Sequence, residues 1–184
     1  MSAPDRLGSS LRLGDRHVVE AGVDASELQL FARDLGGTVT DVLVAAAGRA
    51  LAIDAPDAAA GGVGLAVGAP KGLVVPVVRN AAFAPLPEVR AEVRRLLTAA
   101  HAGATFADEP AATLVLDHIE LRPVGPVQAV QPSGGQVVLL ASQPDGADLT
   151  LALVADARAV DRPTAERLLR VIARLVERPY RRLV

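Results

Sequence analysis

The chain has 184 residues, 51% hydrophobic and 22% charged, enough apolar material for one sizeable core and too much for a disordered chain. A formal net charge of −2 and an aromatic content of 2% supply neither the basic footprint nor the stacking platforms of a nucleic-acid binder, and leave the core to Val, Leu and Ala. Cysteine is absent, which excludes disulfides, thiolate metal sites and cysteine nucleophiles, and points to a reducing compartment.

Met1 to Arg16 mixes Gly, Ser, Pro and charge with little periodicity and reads as a flexible N-terminal segment, a loose tail or docking arm, ahead of one core domain over residues 17–184. Its start lacks the apolar core of a signal peptide, and the longest apolar runs are broken by Gly, Pro or Asp short of a span. The expectation is a soluble, cytoplasmic protein without membrane or nucleic-acid partners.

His17 to Val23 is a first strand. Asp24 and Glu27 give a capping-box-like start to a helix with Leu28, Phe31 and Leu35 on one face, stopped by Gly36-Gly37. A second helix starts at Thr40 as its cap and runs through Val42, Leu43, Ala46, Ala47, Ala50 and Leu51, apolar almost all round and so buried on several sides. After the linker-like Asp54 to Gly62 comes a strand over Val63 to Val67. Turn chemistry at Ala69-Pro70-Lys71-Gly72 joins it to Leu73 to Val78 as a hairpin; Gly68, Lys71 and Gly72 lack the spacing of a nucleotide-binding loop. A helix from Pro87 buries Val89, Val93, Leu96, Leu97 and Ala100 and ends at Gly103.

The rest is strand-rich: Thr113 to Ile119, Val127 to Val130, Gln136 to Ser142, then Leu149, Leu151, Leu153 and Ala155 alternating with Asp148, Thr150, Ala152 and Val154. Asp161 caps a last helix with Pro163 in its first turn, and Leu168, Leu169, Ile172, Leu175 and Val176 form its buried stripe up to Pro179. Helices and strands without strict alternation predict an α+β layer, a mixed sheet with helices on one side.

The loop Asp156-Ala157-Arg158-Ala159-Val160-Asp161-Arg162 resembles the D-H-R-x-x-D-G signature of the catalytic core of the 2-oxoacid dehydrogenase acyltransferases, the dihydrolipoyl acyltransferase family related to chloramphenicol acetyltransferase. VDASELQLFARDLGGTVTDVLVAAAGRAL, VGLAVGAPKGLVVPVVRNA and LPEVRAEVRRLLTAAHAG are similar to successive family segments, in the same order. The second of these corresponds to a hairpin and a proline-bearing strand beside the acyl-carrier channel. The resemblance implies a chloramphenicol acetyltransferase-like two-layer sandwich that forms a homotrimer or larger assembly. The mean hydropathy of +0.32 suits extra apolar surface for such contacts.

In that family a histidine takes the proton from a coenzyme A or dihydrolipoyl thiol, and a serine from the neighbouring subunit stabilises the tetrahedral oxyanion. Here the histidine position is Ala157, and the serine position is Leu116, or Asp117 after a slip of one residue. Both catalytic positions are therefore degenerate. Alanine accepts no proton, and losing one oxyanion donor costs roughly 10²–10³ in rate. Asp156, Arg158 and Asp161 match the family and would brace the loop; read locally, they are a capped helix and a nearby ion pair. His118, sharing a strand face with Leu114 and Leu116, is either a replacement base or a strand-end histidine without a catalytic role, and cannot pair with Asp117 on the opposite face. His17 and His101 are expected to face solvent, and the histidines offer no metal-ligand spacing.

Two functions follow from the resemblance. One is a degenerate, trimeric structural, partner-binding or acyl-binding protein needing no cofactor, with coenzyme A or an acyl thioester as a ligand. The other is an acyltransferase, or other thioester-processing enzyme, with relocated catalytic residues. No lipoyl segment precedes the core in this sequence, so an acyl carrier or a 2-oxoacid dehydrogenase-type partner is expected in trans.

Overall fold

The alternating leucines around 150 make one face of a strand that helices can bury, and the rest of the sheet is laid out from it. The computed structural model describes residues 7–13, 15–106, 111–118, 137–142 and 148–183. In it β9 (Asp148–Asp156) pairs antiparallel with β2 (Arg16–Asp24) along its whole length, from Asp24 opposite Asp148 to Arg16 opposite Asp156. On its other side lies β8 (Val137–Ser142), antiparallel, then β7 (Leu114–His118) and β3 (Val63–Leu65), each parallel to its predecessor. β1 (Leu7–Leu13) and β6 (Val77–Val78) are the edges of this seven-stranded mixed sheet, and β4 (Val67–Ala69) with β5 (Gly72–Val74) forms a separate hairpin.

The principal core lies on one side of the sheet. Val19, Ala21 and Val23 of β2, the leucines of β9, and Leu114 and Leu116 of β7 pack there against α1 (Ser26–Asp34), α2 (Val39–Asp54), α4 (Leu86–His101) and α5 (Arg162–Glu177). α2 is buried over nearly all its circumference, as its unbroken apolar character predicts. The opposite face carries a smaller cluster, Val115 and Val138 with Ala66, Val77 and Ala112, against which Leu73 and Val75 pack. No single described helix is long and apolar enough to cross a membrane.

Several expectations need correction. Leu7–Leu13, read as part of a flexible segment, is an edge strand bonded to β2, with a register irregularity between Leu7 and Ser10. Asp24 does not head a capping box: Ala25 is the N-cap of α1, and the Asp24 carboxylate accepts the Ser26 amide at 2.9 Å. Thr40 is not the cap of α2 either. Thr38 is, in a reciprocal box with Asp41, whose Oδ2 accepts the Thr38 amide at 2.7 Å. The Asp54–Gly62 linker contains a short helix, α3 (Pro56–Ala59), and Pro179, which ends α5, opens another, α6 (Pro179–Arg182). The strand expected over Val127 to Val130 lies outside the described residues.

Candidate functional site

The β9–α5 loop is built from its own short-range bonds. At the end of β9 the chain must turn, and Asp156 organises the turn: its carboxylate accepts the Arg158 amide at 2.9 Å, and its carbonyl accepts the amides of Ala159 and Val160 at 3.0 and 2.9 Å. Asp161 caps α5 by accepting the Thr164 amide at 2.8 Å. Hydrogen bonds from Thr164, side chain first and backbone second, hold the Asp161 carboxyl below its ordinary pKa. Arg162 pairs with Glu166 along the helix at 2.7 Å.

Ala157 occupies the middle of this loop, half-buried. Its amide donates to the Asp15 carbonyl at 2.8 Å, and the neighbouring Arg158 guanidinium pairs with the Asp15 carboxylate. The turn between β1 and β2 is thus bonded to the loop. Sequence reasoning missed Asp15, which sits in a stretch without periodicity; its signal exists only in the sheet register, which sets Arg16 opposite Asp156.

Strand β7 carries the other candidate positions, and its two faces differ. Leu116 is fully buried in the helix-side core. Asp117 points to the opposite face and is 8% exposed. His118 is fully buried, and its Nδ1 lies 2.9 Å from the Thr40 hydroxyl of α2. The sequence placed His118 correctly on the face of Leu114 and Leu116 but could not show that this face is the interior. Thr40 was read as a helix cap and is instead the side chain that ties the histidine to α2.

Register shows which positions can meet. Ala155 is opposite Val137, and Val137 is opposite Leu114, so the 157 position lies beyond the N-terminal end of β7 whereas Asp117 and His118 are at its C-terminal end. At about 3.3 Å per residue and about 4.8 Å per strand, Leu116 is roughly 16 Å and His118 roughly 22 Å from Ala157. Within one chain the structure does not bring these positions together. Asp156, Arg158 and Asp161 do share one loop with Ala157.

The remaining candidates are scattered. His17 is half-buried in β2, and His101 is exposed at the end of α4. Gly68, Lys71 and Gly72 belong to the β4–β5 hairpin, whose turn uses the positive φ of +119° at Gly72. Among the described residues no group of His, Asp or Glu could hold a metal ion.

Comparison with known proteins bears on this geometry. Residues 58–112 match the profile of the 2-oxoacid dehydrogenases acyltransferase (catalytic domain) family. The dihydrolipoamide acetyltransferase (E2p) of Azotobacter vinelandii, studied for the catalytic roles of a serine, a histidine and an asparagine, superposes with a TM-score of 0.70 at 23% identity, over 92% of this chain and 84% of that one. The cubic core of a pyruvate dehydrogenase multienzyme complex gives 0.70 at 24% identity, with the same coverage of 92% and 84%. A chloramphenicol acetyltransferase gives 0.59 at 13% identity, over 89% and 87%. No match was found among curated protein sequences. The fold is therefore the α+β sandwich of these acyltransferase cores, as the sequence led us to expect. The matched segment, 58–112, contains none of Leu116, Asp117 and Ala157.

Proposed function

We propose that this chain is a degenerate acyltransferase-like protein that has kept the architecture of a trimeric acyltransferase core and lost its proton-transfer chemistry. It serves as a structural, partner-binding or acyl-binding component, needs no cofactor, and takes coenzyme A or an acyl thioester as a ligand. The observation that carries this reading is the 156–161 loop, whose capping and turn bonds are all made around a methyl group at 157. A thiol bound there meets no imidazole at 157 to take its proton. His118 offers little replacement, being enclosed in the core and held by Thr40 at 2.9 Å.

The separation of roughly 16–22 Å across the sheet supports a site shared between chains, since one chain cannot close it alone. A partner in trans, either a second copy or an acyl carrier, would supply what is missing. The alternative, an active thioester-processing enzyme, is favoured by one feature: Asp117 is an acid on the face away from the helices, where a group acting across a chain contact would stand.

The test pairs mass with restored chemistry. Light scattering is expected to give a single species of threefold mass. Ala157→His combined with Asp117→Ser is expected to transfer acetyl from acetyl-coenzyme A to dihydrolipoamide where the native chain does not. A monomer would remove the shared-site reading, and native turnover matching the variant's would remove the loss of chemistry.

A further inference from the structure

Position 157 has no imidazole of its own, but the strand beside it carries one. His17 of β2 is opposite Ala155 of β9, and cross-strand partners share a face, here the helix side, where Ala155 and Val19 are buried. Ala157 follows two residues later. Its amide, bonded to the Asp15 carbonyl at 2.8 Å, continues the pairing of β2 with β9 by one step. His17 and Ala157 are thus diagonal neighbours, about 7–8 Å apart, a span within reach of an aromatic ring.

Helix α5 closes the third side. It packs on β2 and β9, and its cap, Asp161, ends the same loop. Hydrogen bonds from Thr164 do most to hold the Asp161 carboxyl below its ordinary pKa, and the charges of Arg167 and then His17 act in the same direction, so the imidazole is within electrostatic reach of the cap. The two histidines near the candidate positions differ in what they can still bind. His118 is fully buried, with Nδ1 2.9 Å from the Thr40 hydroxyl. His17 is half-buried, and no described residue hydrogen-bonds its ring, which leaves a ring nitrogen to accept from a ligand.

We propose that His17 holds the sulfur of a bound coenzyme A, a ring nitrogen accepting the thiol S–H at the 156–161 loop. This rests on the reading of coenzyme A as a ligand and names the residue that meets its reactive end. The contact serves binding: no serine stands at 116 or 117 to stabilise an oxyanion, so acyl transfer is still not expected.

Two readouts test the assignment, both at a pH above the ordinary histidine range. Without ligand, a nuclear Overhauser contact between the His17 ring and the Ala157 methyl is expected; its absence overturns the proposal and leaves coenzyme A as a ligand. With ligand, calorimetry compares coenzyme A and desulfo-coenzyme A, in which a hydrogen replaces the thiol, on the native chain, His17→Phe and His17→Gln. Coenzyme A should lose roughly three- to tenfold in affinity in His17→Phe and recover part of it in His17→Gln, which keeps an acceptor, while desulfo-coenzyme A binds all three alike. A loss shared by both ligands in both variants, or no loss for either, overturns the role of His17 alone. No binding of coenzyme A to the native chain overturns that role and the ligand together.

Discussion

Two corners of the sheet are held in opposite ways. Where α2 meets the Arg79–Ala84 turn, backbone touches backbone: Gly48 leaves no room for a methyl, and beside the turn Gly62 has a φ of +76° and a Cβ there would stand 2.7 Å from the Val78 carbonyl oxygen. At the β9–α5 loop, Asp156, Arg158 and Asp161 make bonds near or at the surface, and position 157 itself makes only a backbone bond and its methyl's packing. The first corner is constrained by shape; its turn, residues 79–84, falls within the family match, and α2 lies before it. The second, as we read it, was constrained by chemistry at one side chain, and a loop can lose that side chain without losing its fold.

The sharpest way to break this comparison is Gly48→Ala. Alanine in place of a helical glycine normally stabilises by about 1 kcal/mol, whereas overpacking costs about 1–3 kcal/mol or more. With Ala81 at 2.4 and 2.5 Å, overpacking should win, and urea denaturation should show a net loss of about 2 kcal/mol. A gain would mean that the corner is not close-packed.

Next in size is Thr40→Val, which keeps the shape of the side chain and removes the hydroxyl that His118 Nδ1 contacts at 2.9 Å. Denaturation should register a loss of about 1–3 kcal/mol, the cost of removing one partner of a buried polar pair. No loss would release His118 from its structural role and revive it as a base. Arg49→Met tests the same corner as Gly48 more gently, with a loss of about 1–2 kcal/mol expected for two bonds to carbonyls.

Smaller effects are expected at the loop. The Asp161 carboxyl titrates below its unfolded value, so the charged cap stabilises the fold above the unfolded pKa, and this contribution fades as pH falls through the folded pKa. Asp161→Asn keeps a capping oxygen and should flatten that acid-side dependence of the melting temperature while changing it little at pH 7. Smallest is Arg158→Ala: its pair with Asp15 is exposed on both sides, and exposed pairs contribute about 0–1 kcal/mol. A large loss there would show that the β1–β2 turn anchors the loop.

Strand β9 and helix α5 were legible because each has one face wholly in the core, so burial writes a period into the sequence. β1 was not: LGSSLRL is an edge strand with a register irregularity, defined by pairing with β2 rather than by its own pattern. Thr38 and Thr40 are both plausible caps by residue type. The x-x-Asp spacing to Asp41 singles out Thr38, which frees Thr40 for the interior. At the site, alternation separated Leu116 from Asp117, but only the packed helices show which of them faces inward.

The central claim, that the loop keeps its shape without its chemistry, is tested most directly by acyl transfer from a panel of acyl-coenzyme A thioesters to dihydrolipoamide. The native chain and His118→Gln would be compared at matched mass and fold. The account predicts no turnover above background in either. Native turnover that disappears in His118→Gln would contradict it, and would place a working base where the structure has a core histidine.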